Sequence, residues 1–209
     1  MNPPPARQAT WPELLAHPDV VERSVQRGAV GLMAFHGGLE NGTLEIAEAA
    51  AEVSGSSLYT VEQPADLRWH VPSRFVDPAG APALAAWLSH VDVAIAVHGY
   101  GRSARPRHVL VGGTNRVLAG LVAESLRPRL SGFEIISEID AIPAELRGLH
   151  PKNPVNRPAA GGVQLELPPS ARGTSPRPSD PAWGSGGAAA RVIEALVEAV
   201  HRWELPPRR

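Results

Sequence analysis

Residues 28–38 read GAVGLMAFHGG, an unbroken apolar run that empties into a histidine and two glycines. Apolar side chains at consecutive positions suit a strand covered on both faces, because neighbours along a strand point to opposite sides. Residues 91–101, VDVAIAVHGYG, repeat the arrangement and end at His98 and Gly99. Two such strands predict a sheet buried between two layers of helix.

Working outward, further strands are expected over 57–61, 108–111, 133–137 and 163–167, and helices over 44–53, 82–89, 115–126 and 188–203. Thr43 and Thr114 read as helix caps. Thr10, Pro12 and Glu13 form a capping-box signature, so a helix is expected over 11–26 with an interruption at Pro18. Strands alternating with helices predict an α/β fold, a three-layer α/β/α sandwich with a mixed central sheet. One domain is expected over 1–209, with 1–9 flexible and the Pro, Ser, Gly and Arg-rich stretch 168–187 an extended loop.

Composition narrows the function. Twenty basic against 21 acidic residues give a net charge of −1, so no overall field draws the chain to nucleic acid or to an anionic membrane. An anionic substrate must be recognised locally. With no cysteine, disulfides and thiolate metal sites are excluded, and a metal would need His, Asp or Glu ligands. The N-terminus lacks an apolar signal region and no run is long enough to span a bilayer, so a cytoplasmic protein is expected, released by lysis if at all.

Three polar groups interrupt or end apolar runs: His36, His98 and Glu166, the last inside GVQLEL. Ligands in open α/β sheets bind at strand ends. Glu40 follows His36 across two glycines, a loop able to fold back so that imidazole and carboxylate reach one ion. His36, Glu40 and His98 make a His₂Glu set with a fourth position open, the arrangement of a catalytic zinc, with one ion expected per chain. Hydrolysis also needs a carboxylate to carry the proton, and Glu166 is the candidate general base, since a carboxylate among Val and Leu is costly unless it faces a polar cavity. The alternative for each histidine is a satisfied turn residue at a strand end.

His70, in WHVPS, either touches the substrate and stabilises the tetrahedral intermediate or is a half-buried strand histidine. The segment KNPVNR carries the only lysine of the chain, and Asn156 and Arg157 there suit carboxylate binding or, alternatively, a salt-bridged turn. A serine hydrolase lacks its G-x-S-x-G elbow here, and a nucleotide-binding protein lacks both G-x-G-x-x-G and a P-loop lysine.

In order, HGGLENGTLEIAEAAAE, SLYTVE, WHVPSRFVDP, VDVAIAVHGYG, HVLVGGTN, LHPKNPVNR and GGVQLELP resemble the poly-γ-glutamate hydrolases of phages and bacteria, over about residues 29 to 172. The resemblance implies a zinc-carboxypeptidase-like fold and cleavage of γ-glutamyl amide bonds in a small or polymeric substrate. It places His36, Glu40 and His98 on the metal motif and Glu166 on the strand carrying the base. A monomer is expected. Two departures stand out: the loop between His36 and Glu40 is one residue shorter than the family's usual run, and Arg74 stands where a second histidine after His70 is expected. An arginine there favours a carboxylate and cannot act as a base. The competing readings are a zinc peptidase for another carboxylated substrate, and a non-catalytic protein that grips an anion with Arg102, Arg105 and Arg157.

Overall fold

The structure, a computed structural model, describes residues 7–174 and 187–203. Its strands are β1 (Arg7–Gln8), β2 (Val21–Val25), β3 (Val30–Gly37), β4 (Ser57–Glu62), β5 (Trp69–His70), β6 (Val93–Gly99), β7 (His108–Val111), β8 (Glu134–Ile136) and β9 (Gly162–Leu167). The helices are α1 (Trp11–Leu15), α2 (Thr43–Ser54), α3 (Pro82–His90), α4 (Arg116–Leu126) and α5 (Ala188–Arg202). Seven strands form one sheet in the order β2-β4-β3-β6-β9-β7-β8, and β1 pairs separately with β5.

The centre of the sheet, β4, β3, β6 and β9, is parallel, while β2 runs antiparallel to β4 and β7 antiparallel to β9. The sheet is therefore mixed, as expected. Helices α2, α4 and α5 cover one face, where Ile46, Leu118 and Leu196 pack with Leu32, Ile95 and Val163. On the other face α1 and α3 bring Trp11, Leu14, Leu84 and Trp87 against Met33, Tyr59 and Ala96. Every residue of β3 is buried, which is why its apolar run has no polar alternation. Gly31 is the exception to bulk there: a Cβ on it would stand 2.4 Å from the Trp87 ring, so the glycine makes room for the indole.

Several boundaries differ from expectation. The helix expected over 11–26 stops at Leu15, and residues 21–25 form strand β2 instead. Four of its five residues are exposed, so VERSV carries no hydrophobic period, and only pairing with Leu58–Glu62 fixes it as a strand. Asn115, not Thr114, caps α4 by accepting from the Leu118 N–H. Thr43 is the first residue of α2, and its hydroxyl donates to the Glu40 carbonyl. The stretch expected to be flexible over 1–9 includes β1, and residues 1–6 lie outside the described residues. Of the loop expected over 168–187, residues 168–174 form turns, and 175–186 lie outside the described residues. Among the described residues, no helix is long and apolar enough to cross a membrane.

Candidate metal centre

Strand alternation sends Leu32 and Ala34 toward α2 and α5, and Met33 and Phe35 toward the opposite layer. By parity His36 belongs with Ala34. Instead its Nε2 lies 2.9 Å from the Val71 carbonyl. Its ring centroid is 5.1 Å from that of His98 and 5.1 Å from that of His70. The pairing of β3 with β4 shifts register between Ala34 and Gly37, and such a bulge re-aims a side chain at a strand end.

The chain then folds back in one turn, with the Leu39 and Glu40 N–H groups donating to the His36 carbonyl at 3.1 and 2.8 Å. Gly38 makes this possible. It sits at φ +78°, and a Cβ there would meet the Gln63 carbonyl oxygen at 1.8 Å. Despite its short loop, the Glu40 carboxylate reaches both histidines: Oε1 is 3.0 Å from His36 Nδ1 and Oε2 is 3.4 Å from His98 Nδ1. The Gly99 N–H donates to Oε2 at 2.8 Å and fixes the carboxylate.

The donor chemistry of this cluster fits a cation. Val71 offers only a carbonyl, so His36 Nε2 carries the hydrogen, which leaves Nδ1 facing a carboxylate oxygen as the atom that takes either a second proton or a metal cation. His98 Nε2 is buried and has no hydrogen-bond partner among the described residues. The candidate ligand atoms of His36, Glu40 and His98 all lie within 4.8 Å of one another. Ligands at roughly 2.0–2.1 Å in a tetrahedron stand about 3.3 Å apart, close to the 3.0 and 3.4 Å separations around Glu40. The group can hold a metal ion. Electrostatics without one are under tension: burial opposes ionisation of the pair, yet mutual attraction holds the Glu40 carboxyl well below the usual carboxylate range and raises His36.

Glu166 stands beside this cluster. In the parallel pairing of β6 with β9, His98 lies opposite Glu166 and Ala96 opposite Gln164, so both polar side chains of β9 share the His98 face. Glu166 is 5% exposed, and burial pushes its carboxyl up to about 7. The Gln164 amide donates to its Oε1 at 2.8 Å.

These groups line a cleft of about 420 Å³ at the ends of β3, β6 and β9. Of the residues picked from sequence, it brings together His36, Glu40, His70, Arg74, His98 and Glu166. It leaves out Asn156, Arg157, Arg102 and Arg105. Arg157 pairs with Asp77 at 3.7 Å, Asn156 braces a turn by accepting from Thr114 and donating to the Gly148 and His150 carbonyls, and Arg102 pairs with Glu145 at the rim. Arg74 lies in a 3₁₀ turn and not in a strand, with its guanidinium 4.7 Å over the Phe75 ring.

Residues 13–175 match the family model described as poly-gamma-glutamate hydrolase. The chain belongs to that family. SPbeta prophage-derived UPF0714 protein YoqZ of Bacillus subtilis (strain 168) is 30% identical over 151 residues, covering 71% of this chain and 52% of that protein. The chain thus spans about half the length of the curated relative it matches. A solved bacteriophage poly-gamma-glutamate hydrolase superposes with a TM-score of 0.70 at 26% identity over 87% of each chain. The metallo-carboxypeptidase of Burkholderia cenocepacia shares the fold, with a TM-score of 0.52 at 11% identity, over 90% of this chain and 66% of that one. The carboxypeptidase-like α/β fold is thereby shown.

Sequence reasoning missed Asn153, Gln164, Tyr100 and His150, which also line the cleft. One signal was present: Gln164 stands two residues before Glu166 in a strand, so the two share a face. Asn153 gave no signal, because it and Asn156 are equivalent in the KNPVNR segment until the turn is folded.

Proposed function

We propose that the chain hydrolyses γ-glutamyl amide bonds as a zinc enzyme, with one ion per chain held by His36, Glu40 and His98 and with Glu166 as general base. The observation that carries this reading is the approach of two imidazole Nδ1 atoms to the two oxygens of one buried carboxylate, at 3.0 and 3.4 Å, beside a second buried carboxyl in the same cleft. Membership of a hydrolase family supplies the reaction class, and the phage hydrolase supports the substrate class.

When bound, zinc supplies Lewis acidity and brings the pKa of a water to about 7. Glu166 takes the proton of the attacking water and delivers it to the leaving nitrogen. Burial pushes the Glu166 carboxyl upward, which favours its holding the proton between the two transfers. His70 is held below its ordinary pKa by burial and by the nearby His36, so near neutrality it offers a neutral N–H to the carbonyl oxygen as charge develops. Arg74 faces the cleft as a fixed cation and takes an α-carboxylate of the γ-linked chain. Arg102 and Arg157 are engaged by Glu145 and Asp77, which disfavours the anion-gripping alternative.

The test compares a γ-linked glutamate oligomer with its α-linked isomer, at equal length and charge, for protein of measured zinc content. Zinc near one per chain and selective cleavage of the γ-linked oligomer are expected. Equal cleavage of both isomers removes the γ-glutamyl assignment, and full activity of chelator-treated, metal-free protein removes zinc.

A further inference from the structure

Behind Glu166 lies a chain of side-chain amides whose direction can be read without ambiguity. The Val155 backbone N–H donates to Asn153 Oδ1 at 3.3 Å. A backbone N–H can only donate, so it fixes which end of the Asn153 amide is oxygen. Nδ2 must then face Gln164, where it donates to Oε1 at 2.7 Å. That in turn fixes the Gln164 amide, whose Nε2 donates to Glu166 Oε1 at 2.8 Å. Asn153, Gln164 and Glu166 are 2%, 4% and 5% exposed, so solvent cannot replace any of these bonds. Gly148, at φ +68°, leaves the room that Gln164 fills: a Cβ there would stand 2.5 Å from its side chain.

We infer that Asn153 and Gln164 are positioning residues that transmit the polarity of the Val155 N–H and keep a hydrogen-bond donor aimed at Glu166. The inference rests on Glu166 as the general base for its kinetic consequence, but not for its structural one. A donor on Oε1 orients the carboxylate and leaves Oε2 for the proton transfer. Reversing the chain presents a carbonyl oxygen to an ionised carboxylate, which cannot donate in return.

Asn153→Asp makes that reversal with almost no change of shape. At alkaline pH, where the substituted carboxyl is ionised, it accepts from both Val155 and Gln164 and forces the Gln164 amide to turn. Gln164→Met removes the donor at similar volume. Both variants are expected to lower kcat on a γ-linked glutamate oligomer roughly ten- to hundredfold, the scale of a hydrogen bond to a charged group, with KM and zinc content unchanged. A denaturation cycle supplies the readout that packing alone would not move. Asn153→Asp should lower the unfolding midpoint in the wild-type background and much less in a Glu166→Gln background, because a glutamine amide at that position turns over with the chain. An equal loss in both backgrounds overturns the inference, as does unchanged kcat in both Asn153→Asp and Gln164→Met when Glu166→Gln itself loses rate. Coupling in the cycle together with near wild-type turnover by Glu166→Gln upholds the relay and sinks the general-base reading instead. If Asn153→Asp does not fold, Gln164→Met decides: the relay is overturned by an unchanged kcat when Glu166→Gln loses rate, and otherwise by an equal loss of unfolding midpoint in the wild-type and Glu166→Gln backgrounds.

Discussion

His98 on β6 and Glu166 on β9 stand opposite each other in parallel register, so strand pairing alone holds a candidate ligand and a candidate base side by side on one face of the sheet. Adjacent strands lie about 4.8 Å apart, within reach of one substrate group. Neither residue depends on a loop for its placement.

If His36 and His98 hold the metal, His36→Ala and His98→Ala should each lose both zinc and turnover. Glu166→Gln should keep the zinc and lose rate by roughly 10²–10⁴-fold, the range for general acid–base catalysis. Elemental analysis beside kinetics checks this; a histidine variant that retains its full zinc content removes that histidine from the set.

Glu166 also makes stability depend on pH. Its carboxyl lies at about 7 in the folded chain against an ordinary value of 4.5, so folding favours the neutral form. That contribution is complete below about pH 4.5 and is lost as pH rises through about 7, amounting to roughly 3 kcal/mol. In chelator-treated protein, Glu166→Gln should therefore be more stable than wild type above neutrality and equal to it in acid. Denaturant midpoints across pH test the sign; a gap that widens toward acid contradicts it.

Two glycines separate site geometry from fold stability. Gly38→Ala drives a Cβ into the Gln63 carbonyl at 1.8 Å and opposes a φ of +78°, so the turn carrying Glu40 must move. Loss of zinc affinity is the expected outcome. Gly31→Ala instead presses on Trp87 and should cost about 1–3 kcal/mol of stability while zinc affinity holds. Isothermal titration with zinc and thermal unfolding distinguish the two, and equal zinc affinity in Gly38→Ala would falsify the turn argument.

Arg74 lines the cleft and Arg157 does not. Arg74→Ala should raise KM for a γ-linked oligomer roughly tenfold, the loss of one hydrogen bond to a charged group. Arg157→Lys, facing Asp77 outside the cleft, should leave both kinetic constants unchanged. Steady-state kinetics on the two variants decide between them, and the reverse pattern would move the carboxylate site toward Arg157.

The amino-acid sequence by itself determined the buried strands β3, β6 and β9 and the polar groups that interrupt them, because continuous apolar runs admit few placements and a Glu or His within them needs a polar cavity. It also determined the amphipathic α5, expected over 188–203 and observed as Ala188–Arg202. Tertiary structure alone decided β2, whose exposed VERSV becomes a strand only by pairing with β4. It decided which face His36 serves, since the bulge between Ala34 and Gly37 overrides strand parity. It decided that Asn153 and not Asn156 reaches the cleft, and that Arg157 turns away to Asp77. Local periodicity encodes what a segment must bury. Direction and partnership of polar side chains depend on hydrogen bonds between segments far apart in the chain, and these exist only once the sheet has assembled.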